Sequence, residues 1–106
     1  MKTSLLVIDV QRGLFEKEPR PHEADVVVDR INSLTARARA ANVPVVFVQH
    51  ERASGFLEYG SEGWQLEQRL FVEAGDGRLR KTTPDSFLRT ELSARLAAWG
   101  TEQLVI

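Results

Sequence analysis

Along the chain, runs of consecutive apolar residues alternate with stretches in which apolar residues recur every three or four positions. The runs at 5–8 (LLVI) and 45–48 (VVFV) are typical of strands that are buried on both faces of a parallel sheet. Shorter segments around 78–81 and at 103–106 predict a third and a fourth strand. Strands separated by helices indicate βαβ units, so the pattern predicts an α/β fold with a parallel sheet wrapped by helices.

A long helix is predicted over residues 23–41. Its apolar positions form one stripe that we expect to be buried: Val27, Ile31, Leu34, Ala38 and Ala41. Asn42 suits the left-handed residue that ends a helix, and Pro44 prevents continuation. A short helix is predicted over residues 64–70. A last helix is capped by Thr90 and ends at Gly100, and its buried side is expected to carry Leu92, Leu96 and Trp99.

The connections are marked by breaker residues. Residues 12–21 hold Gly13, Pro19 and Pro21 and predict a loop. Residues 52–63 hold three glycines and predict a long surface connection, the kind of segment that often carries function. A turn is predicted at 75–77.

Composition narrows the class of protein. The chain has 106 residues, which suits one small domain, and 14 basic against 15 acidic residues give a net charge of −1. Charges of both signs are interspersed, so we expect neither nucleic acid nor an anionic membrane as a partner. The start resembles no signal peptide, so a cytoplasmic location is expected. The chain has no cysteine and no glycine-rich phosphate loop, which excludes thiol chemistry and nucleotide binding by that loop within these residues.

Asp9 and Lys81 are the first candidates for chemistry. Asp9 ends the first strand, and open α/β sheets bind ligands outside the carboxyl ends of their strands. Asp is also a common turn residue, so a local role is equally open. Lys81 ends the third strand and is expected at the same edge, where an ammonium would stabilise an ionised acid. The alternative is that Lys81 is one more member of a basic cluster with Arg78 and Arg80.

Other residues are candidates for binding a substrate. Gln11 lies two residues past Asp9 and shares its face if the segment is extended, so it could orient the acid or touch substrate. His50 ends the second strand, and local hydrogen bonding is the alternative to lining a site. The aromatic candidates for pocket walls, for which core packing is the alternative, are Phe15, Phe56 and Trp64. His22 is expected to be exposed, and Phe47 and Trp99 are expected in the core.

Four motifs stand in a fixed order along most of the chain. They are LLVIDVQ at 5–11, VVFVQH at 45–50, GSEGW at 60–64 and KTTPDSF at 81–87, followed by Thr90, Leu92 and Leu96. Together they resemble the isochorismatase-like hydrolases, the superfamily that includes nicotinamidases and N-carbamoylsarcosine amidase. The resemblance implies a Rossmann-like sheet with strand order 3-2-1-4 and a single domain over residues 1–106 that corresponds to the N-terminal portion of the family domain.

The resemblance also implies the chemistry. Asp9 matches the catalytic aspartate of the family and Lys81 its catalytic lysine. The third catalytic residue is a cysteine just after the fourth strand, so the chain resembles a family member that stops before its nucleophile. The implied reaction is hydrolysis of an amide-like C–N bond in a small molecule: Asp9 takes the thiol proton, Lys81 supports negative charge, and water cleaves the thioester.

Alternatives to this reaction remain open. Nicotinamidases carry an Asp-x-His…His metal site after the second strand, whereas this chain has QHERA at 49–53, so we expect no metal and no cofactor. Some isochorismate-cleaving relatives lack the cysteine and hydrolyse a vinyl ether with the acid alone. A third possibility is a degenerate member that acts as a binding or structural protein. Family members often form dimers or tetramers, and we expect a homo-oligomer.

Overall fold

The structure is a computed structural model, and it describes residues 3–15, 24–83, 92–98 and 103–105. The elements in this part of the chain are, in order, β1 (Thr3–Ile8), α1 (Arg12–Phe15), α2 (Ala24–Ala40), β2 (Val45–His50), β3 (Gly77–Lys81), α3 (Leu92–Ala98) and β4 (Gln103–Val105). The predicted α/β alternation of strands and helices is confirmed.

The four described strands form one parallel sheet in the order β3-β2-β1-β4. β1 and β2 pair from Leu5 opposite Val45 to Ile8 opposite Val48. On the other side of β2, the pairing with β3 runs as far as His50 opposite Lys81. The carboxyl ends of β1, β2 and β3 therefore lie side by side at one edge of the sheet.

The sheet separates two hydrophobic clusters. Because successive side chains of a strand point to opposite faces, each strand contributes to both clusters. The buried residues on one face are Leu5, Val7, Val10, Val28, Ala38, Val45, Phe47 and Leu70. Those on the other face are Leu6, Val46, Val48, Leu79, Leu92 and Leu96. Burial on both faces explains the continuous apolar runs of β1 and β2, and it confirms the predicted core positions of Phe47, Leu92 and Leu96.

The core stripe predicted for α2 is only partly correct: Ala38 is buried and Ile31 packs against the core cluster, whereas the other three positions are exposed. The buried residues of this helix are Ala24, Val28, Thr35 and Ala38. Val27 and Leu34, which the apolar pattern assigns to the core, are 38% and 45% exposed, and Ala41 is exposed as well. Thr35 can take a core position because its hydroxyl donates to the carbonyl of Asn32 at 3.1 Å, which satisfies the polar group.

The end of α2 follows the prediction. Asn42 has a φ of 58°, in the left-handed region. Its N–H donates to the carbonyl of Arg39 at 3.1 Å, and the N–H of Val43 donates to the carbonyl of Ala38 at 2.8 Å. These two bonds form the motif that satisfies the last carbonyls of a helix, so Asn42 ends α2 as expected.

The short helix predicted for residues 64–70 is wrong, because the segment consists of turns. Its main chain pairs with the residues that follow β1: Arg12 N donates to the Gln65 carbonyl at 2.8 Å, and Glu67 N donates to the Val10 carbonyl at 3.0 Å. Backbone groups used in this way are not free for a helix. The segment therefore pairs with the residues that follow β1 and does not form a helix.

The predicted loops are partly confirmed. The loop expected over residues 12–21 begins with the helical turn α1, in which the Gln11 carbonyl accepts from Leu14 N and Phe15 N. Residues 52–63 form an irregular connection that is largely exposed apart from Leu57. The expected turn before β3 is present, with Asp76 N donating to the Glu73 carbonyl at 3.0 Å.

Some expectations fall outside the described residues. They concern His22, the start of the long helix at residue 23, the Thr90 cap, Trp99, Gly100 and Ile106. Within the described ranges, no helix combines the length and the apolar character that a membrane crossing requires.

Candidate functional site

Asp9 turns the chain out of the sheet. It follows β1 directly and has a φ of 64°, which is unusual for a residue other than glycine. Its N–H still donates to the Val48 carbonyl at 3.0 Å, whereas its own carbonyl accepts from Gln11 N at 3.0 Å. The assumption that Asp9 and Gln11 share one face of an extended segment is therefore wrong, because the chain reverses direction between them.

Lys81 reaches Asp9 across the end of β2. Asp9 directly follows β1 and Lys81 ends β3, and these two strands are separated by β2 and lie about 10 Å apart at the usual strand spacing. Lys81 Nζ lies 3.2 Å from Asp9 Oδ1 and 3.4 Å from Oδ2. The Lys81 side chain is 2% exposed and that of Asp9 is 42% exposed. The structure thus brings the two catalytic candidates together, with the cation buried and the carboxylate open to solvent on one side.

The two oxygens of Asp9 have different surroundings. Oδ1 is buried and, apart from its ion-pair contact with Lys81, accepts no hydrogen bond of good geometry from the residues that the structure describes. Buried polar atoms are normally satisfied, so such an atom calls for an explanation. Oδ1 thus has acceptor capacity that the described residues do not use.

Gln11 is fully buried beside this pair. Its Oε1 accepts from His50 N at 2.8 Å, and its Nε2 donates to the carbonyls of His50 at 3.0 Å and Trp64 at 2.8 Å. The amide is thus used by main-chain groups of two other segments. Direct contact of Gln11 with a substrate would require these bonds to open.

His50 and Trp64 each bring a buried polar atom to the same end of the sheet. His50 lies opposite Lys81 in the β2–β3 register, and its buried imidazole Nδ1 makes no hydrogen bond with the residues that the structure describes. Trp64 is buried, and within the same described ranges its indole Nε1 makes none either. The local hydrogen bond considered for His50 is therefore not seen at Nδ1 among these residues.

A cluster that the sequence did not predict stands beside these residues. Arg80 donates to both carboxylate oxygens of Glu51, at 2.6 and 3.0 Å, and its guanidinium carbon lies 3.5 Å from the centre of the Tyr59 ring. The Tyr59 ring meets Trp64 edge-on, with 4.8 Å between centroids. The hydrogen bond to Glu51 raises the pKa of Arg80. The alternation of charged and apolar residues at 78–80 was the available signal in the sequence, but it does not identify the partners of Arg80.

The other aromatic candidates lie apart from the ion pair. Phe15 lines an apolar groove of about 320 Å³ between β1 and α2, together with Val10, Val27, Ile31 and Leu34. Neither Asp9 nor Lys81 lines this groove. Phe56 is 43% exposed and rests against the backbone of Gly13.

Metal ligands are not grouped in the part of the chain that the structure describes: no three His, Cys, Asp or Glu side chains there could hold a metal ion together. The site is thus a carboxylate and an ammonium at the strand ends, bordered by His50, Trp64 and a stack of charged and aromatic side chains.

Comparison with known proteins supplies the context for this geometry. Residues 3–106 match the model of the Isochorismatase domain. Streptothricin hydrolase from Streptomyces noursei is 39% identical to this chain over 106 residues, which cover 97% of the chain and 38% of that protein.

Solved structures give the same picture. An isochorismatase family protein superposes with a TM-score of 0.89 at 32% identity, covering 96% of this chain and 60% of that chain. The N-carbamoylsarcosine amidase of Thermoplasma acidophilum shares the fold, with a TM-score of 0.88 at 23% identity, over 98% of this chain and 65% of that one. The chain thus spans less than two thirds of the length of these proteins.

Proposed function

Since the chain belongs to the Isochorismatase domain family, whose model matches its residues 3–106, we propose that it is a hydrolase that cleaves an amide-like C–N bond of a small molecule. The observation that carries the proposal is the contact of 3.2 Å between Lys81 Nζ and Asp9 Oδ1 at the carboxyl edge of the sheet. The similarity to streptothricin hydrolase, by its name a hydrolase that acts on streptothricin, supports a small-molecule substrate.

In the proposed reaction Asp9 is the general base. Its carboxylate takes a proton from the nucleophile, which then attacks the carbonyl carbon of the substrate. As the C–N bond breaks, the same proton passes from Asp9 to the departing nitrogen. A water molecule, again deprotonated by Asp9, then attacks the acyl carbon; the bond from this carbon to the nucleophile breaks, and Asp9 returns the proton to the nucleophile. The role is supported by Asp9 Oδ1, which accepts no hydrogen bond from the described residues.

Lys81 supplies fixed positive charge in the proposal. Its ammonium is held in a buried position beside Asp9, and a charge acts more strongly where water is excluded. It offsets negative charge that develops on the substrate. Lys81 is thus assigned an electrostatic role, whereas the proton itself resides on Asp9.

The nucleophile of the main proposal is a cysteine thiol. These 106 residues contain no cysteine, so the thiol would be supplied by residues other than these. A second candidate, which needs no thiol, is hydrolysis of a vinyl ether in which Asp9 acts as the acid. Iodoacetamide distinguishes the two, because alkylation stops a thiol-dependent reaction and leaves the vinyl-ether reaction unchanged.

His50, Trp64, Gln11 and Phe15 are proposed as substrate contacts, with unequal structural support. The first two are favoured by His50 Nδ1 and Trp64 Nε1, which make no hydrogen bond with the described residues. Gln11 would have to release its main-chain partners first, and Phe15 would act only on a substrate that extends to the groove beside α2. We further propose a cytoplasmic location. We also propose assembly into a homodimer or homotetramer, and analytical ultracentrifugation tests this oligomeric state.

A screen of small amides, followed by the variant Asp9→Asn, tests the proposal. We expect turnover to disappear in Asp9→Asn, because an amide cannot accept the proton, while the circular dichroism spectrum is retained. The exposed Asp29 carries the control variant Asp29→Asn, which should keep full activity. Activity retained by Asp9→Asn would refute the general-base role.

A further inference from the structure

The side chain of Gln11 replaces main-chain groups in the β1–β2 ladder. The regular pairing ends with Ile8 opposite Val48, followed by the bond from Asp9 N to the Val48 carbonyl. In a parallel ladder the next two bonds would run from His50 N to the Asp9 carbonyl and from Gln11 N to the His50 carbonyl. Neither is made in this structure, because Gln11 N donates to the Asp9 carbonyl and the two groups satisfy each other.

The Gln11 amide fills both vacated places. Its Oε1 accepts from His50 N at 2.8 Å, as the Asp9 carbonyl would, and its Nε2 donates to the His50 carbonyl at 3.0 Å, as Gln11 N would. Gln11 is fully buried, so these groups of His50 would otherwise lie unpaired at the β1 side of β2. The side chain has a donor and an acceptor on one planar amide, which is the combination the ladder requires.

The hydrogen bonds of the Gln11 side chain attach the end of β2, which lies between the two catalytic candidates, to the segment after β1. On the far side of β2, Glu51 N donates to the Lys81 carbonyl at 2.9 Å. A continuous series of bonds therefore runs from the Asp9 turn through Gln11 and the end of β2 to Lys81. This series links the two strand ends that carry the Asp9 carboxylate and the Lys81 ammonium.

We propose that Gln11 is a positioning residue. Its amide completes the β1–β2 ladder in place of the main chain, which allows Asp9 to turn out of the sheet toward Lys81 while the strand ends keep their spacing. The consequence for turnover rests on the proposed function, but the geometric role does not.

A thermodynamic cycle tests the geometric role without any substrate. The coupling between Asp9→Asn and Lys81→Met is obtained from four free energies of unfolding: those of the parent protein, the two single variants and the double variant. It is measured in the unaltered protein and again with Gln11→Met. Gln49→Met is the matched control, because Gln49 is also a buried amide that donates to the Trp64 carbonyl, at 3.1 Å, but it does not bond to His50.

We expect the coupling to be lost with Gln11→Met and retained with Gln49→Met, although both variants lose stability. Amide hydrogen exchange at His50 should accelerate by about tenfold or more only with Gln11→Met. Gln11→Asn keeps a neutral donor and acceptor on a side chain that is shorter by one methylene, so it should reduce the coupling in part, and it replaces Gln11→Met in the cycle if that variant does not fold. Equal coupling in the Gln11 and Gln49 variants would overturn the proposal.

Kinetics add an independent readout if the protein turns over a substrate. We expect Gln11→Asn to lower kcat with little change in KM, because in the positioning role the Gln11 amide stays bonded to the main chain and the substrate contact proposed above is not used. A rise in KM with unchanged kcat would contradict the positioning role. Turnover that is missing from the unaltered protein would count against the proposed function, whereas the coupling cycle still decides the role of Gln11.

Discussion

Gly13 and Gly63 pack backbone to backbone, with Gly13 N donating to the Gly63 carbonyl at 2.8 Å. A Cβ on Gly63 would lie 2.0 Å from the Phe56 carbonyl oxygen, and a Cβ on Gly13 would lie 3.0 Å from the Cα of Gly63. This close approach attaches the connection over residues 52–63 to the start of α1. Glycine is required at both positions because a side chain would not fit between the two backbones.

The first prediction concerns this contact. Gly63→Ala should lower the free energy of unfolding by about 2 kcal/mol or more, because the added Cβ collides with main-chain atoms that cannot rotate away. Gly75→Ala is the control, since nothing lies within 4 Å of a Cβ there. Urea denaturation of both variants measures the difference. Equal stability of the two would show that residues 56–63 are not held against α1.

The second prediction tests the register of α2. Val28→Ala should destabilise the protein by roughly 2 kcal/mol, because Val28 is buried in the core cluster and its loss leaves a cavity. Val27→Ala, one position away and 38% exposed in the groove beside β1, should cost less, about 1 kcal/mol or under. Thermal or urea unfolding compares the pair. The opposite order would restore the register that the apolar pattern predicts.

The third prediction concerns Arg39, which connects α2 to the turn before β3. Its guanidinium donates to the Asp76 carboxylate at 3.2 and 2.5 Å and to the Phe71 carbonyl at 2.7 Å, and both charged side chains are largely buried. The hydrogen bond to Asp76 raises the pKa of Arg39. Arg39→Met should therefore cost about 1–3 kcal/mol. Arg37→Met, on the exposed side of the same helix, should cost far less.

The pH dependence of this difference follows from the sign of the shift. A group whose pKa is raised in the folded protein contributes fully below its unfolded pKa and loses its contribution only as the pH rises through the folded value. The pKa of Arg39 in the unfolded chain and its pKa in the folded protein both lie above about pH 10. The stability difference between the unaltered protein and Arg39→Met should thus be equal at about pH 7 and about pH 10. A difference that shrinks at the higher pH would contradict the assignment.

The fourth prediction separates Lys81 from the basic cluster around it. Lys81→Met should lower kcat by roughly 10²–10³-fold, the loss typical when one preorganised positive or donor group is removed. Arg78→Met removes a charge from the exposed face of the same strand and should leave kcat unchanged within about twofold, a change of only a few tenths of a kcal/mol in the activation free energy. Steady-state kinetics on both folded variants provide the test. Equal effects would support the view that Lys81 is only one more basic residue.

The sequence predicted the elements that local composition determines. The apolar runs at 5–8 and 45–48 gave β1 and β2, because strands buried on both faces need apolar residues at every position. Asn42 predicted the end of α2 correctly because its left-handed conformation is a local property. Family resemblance added the candidate pair, which the structure brings into contact, although its catalytic role stays a prediction.

The errors arose where tertiary pairing overrides local preference. The helix expected over residues 64–70 is absent because main-chain groups after β1 bind its backbone. The stripe of α2 was predicted only in part because a hydrogen-bonded Thr35 takes a core position that hydrophobicity does not mark. The Gln11 amide in the ladder and the Arg80–Glu51 contact join residues 39 and 29 positions apart. No pattern within a short window contains such partners.

The left-handed backbone of Asp9 decides which substitution can examine its chemistry cleanly. Asn is one of the non-glycine residues that adopt the left-handed conformation most often, so exchange of the Asp9 carboxylate for an amide preserves the turn. Ala at the same position would add backbone strain of roughly 1 kcal/mol, which would alter the turn along with the acid. Loss of activity in an alanine variant would therefore mix two causes, whereas the asparagine variant isolates the proton acceptor.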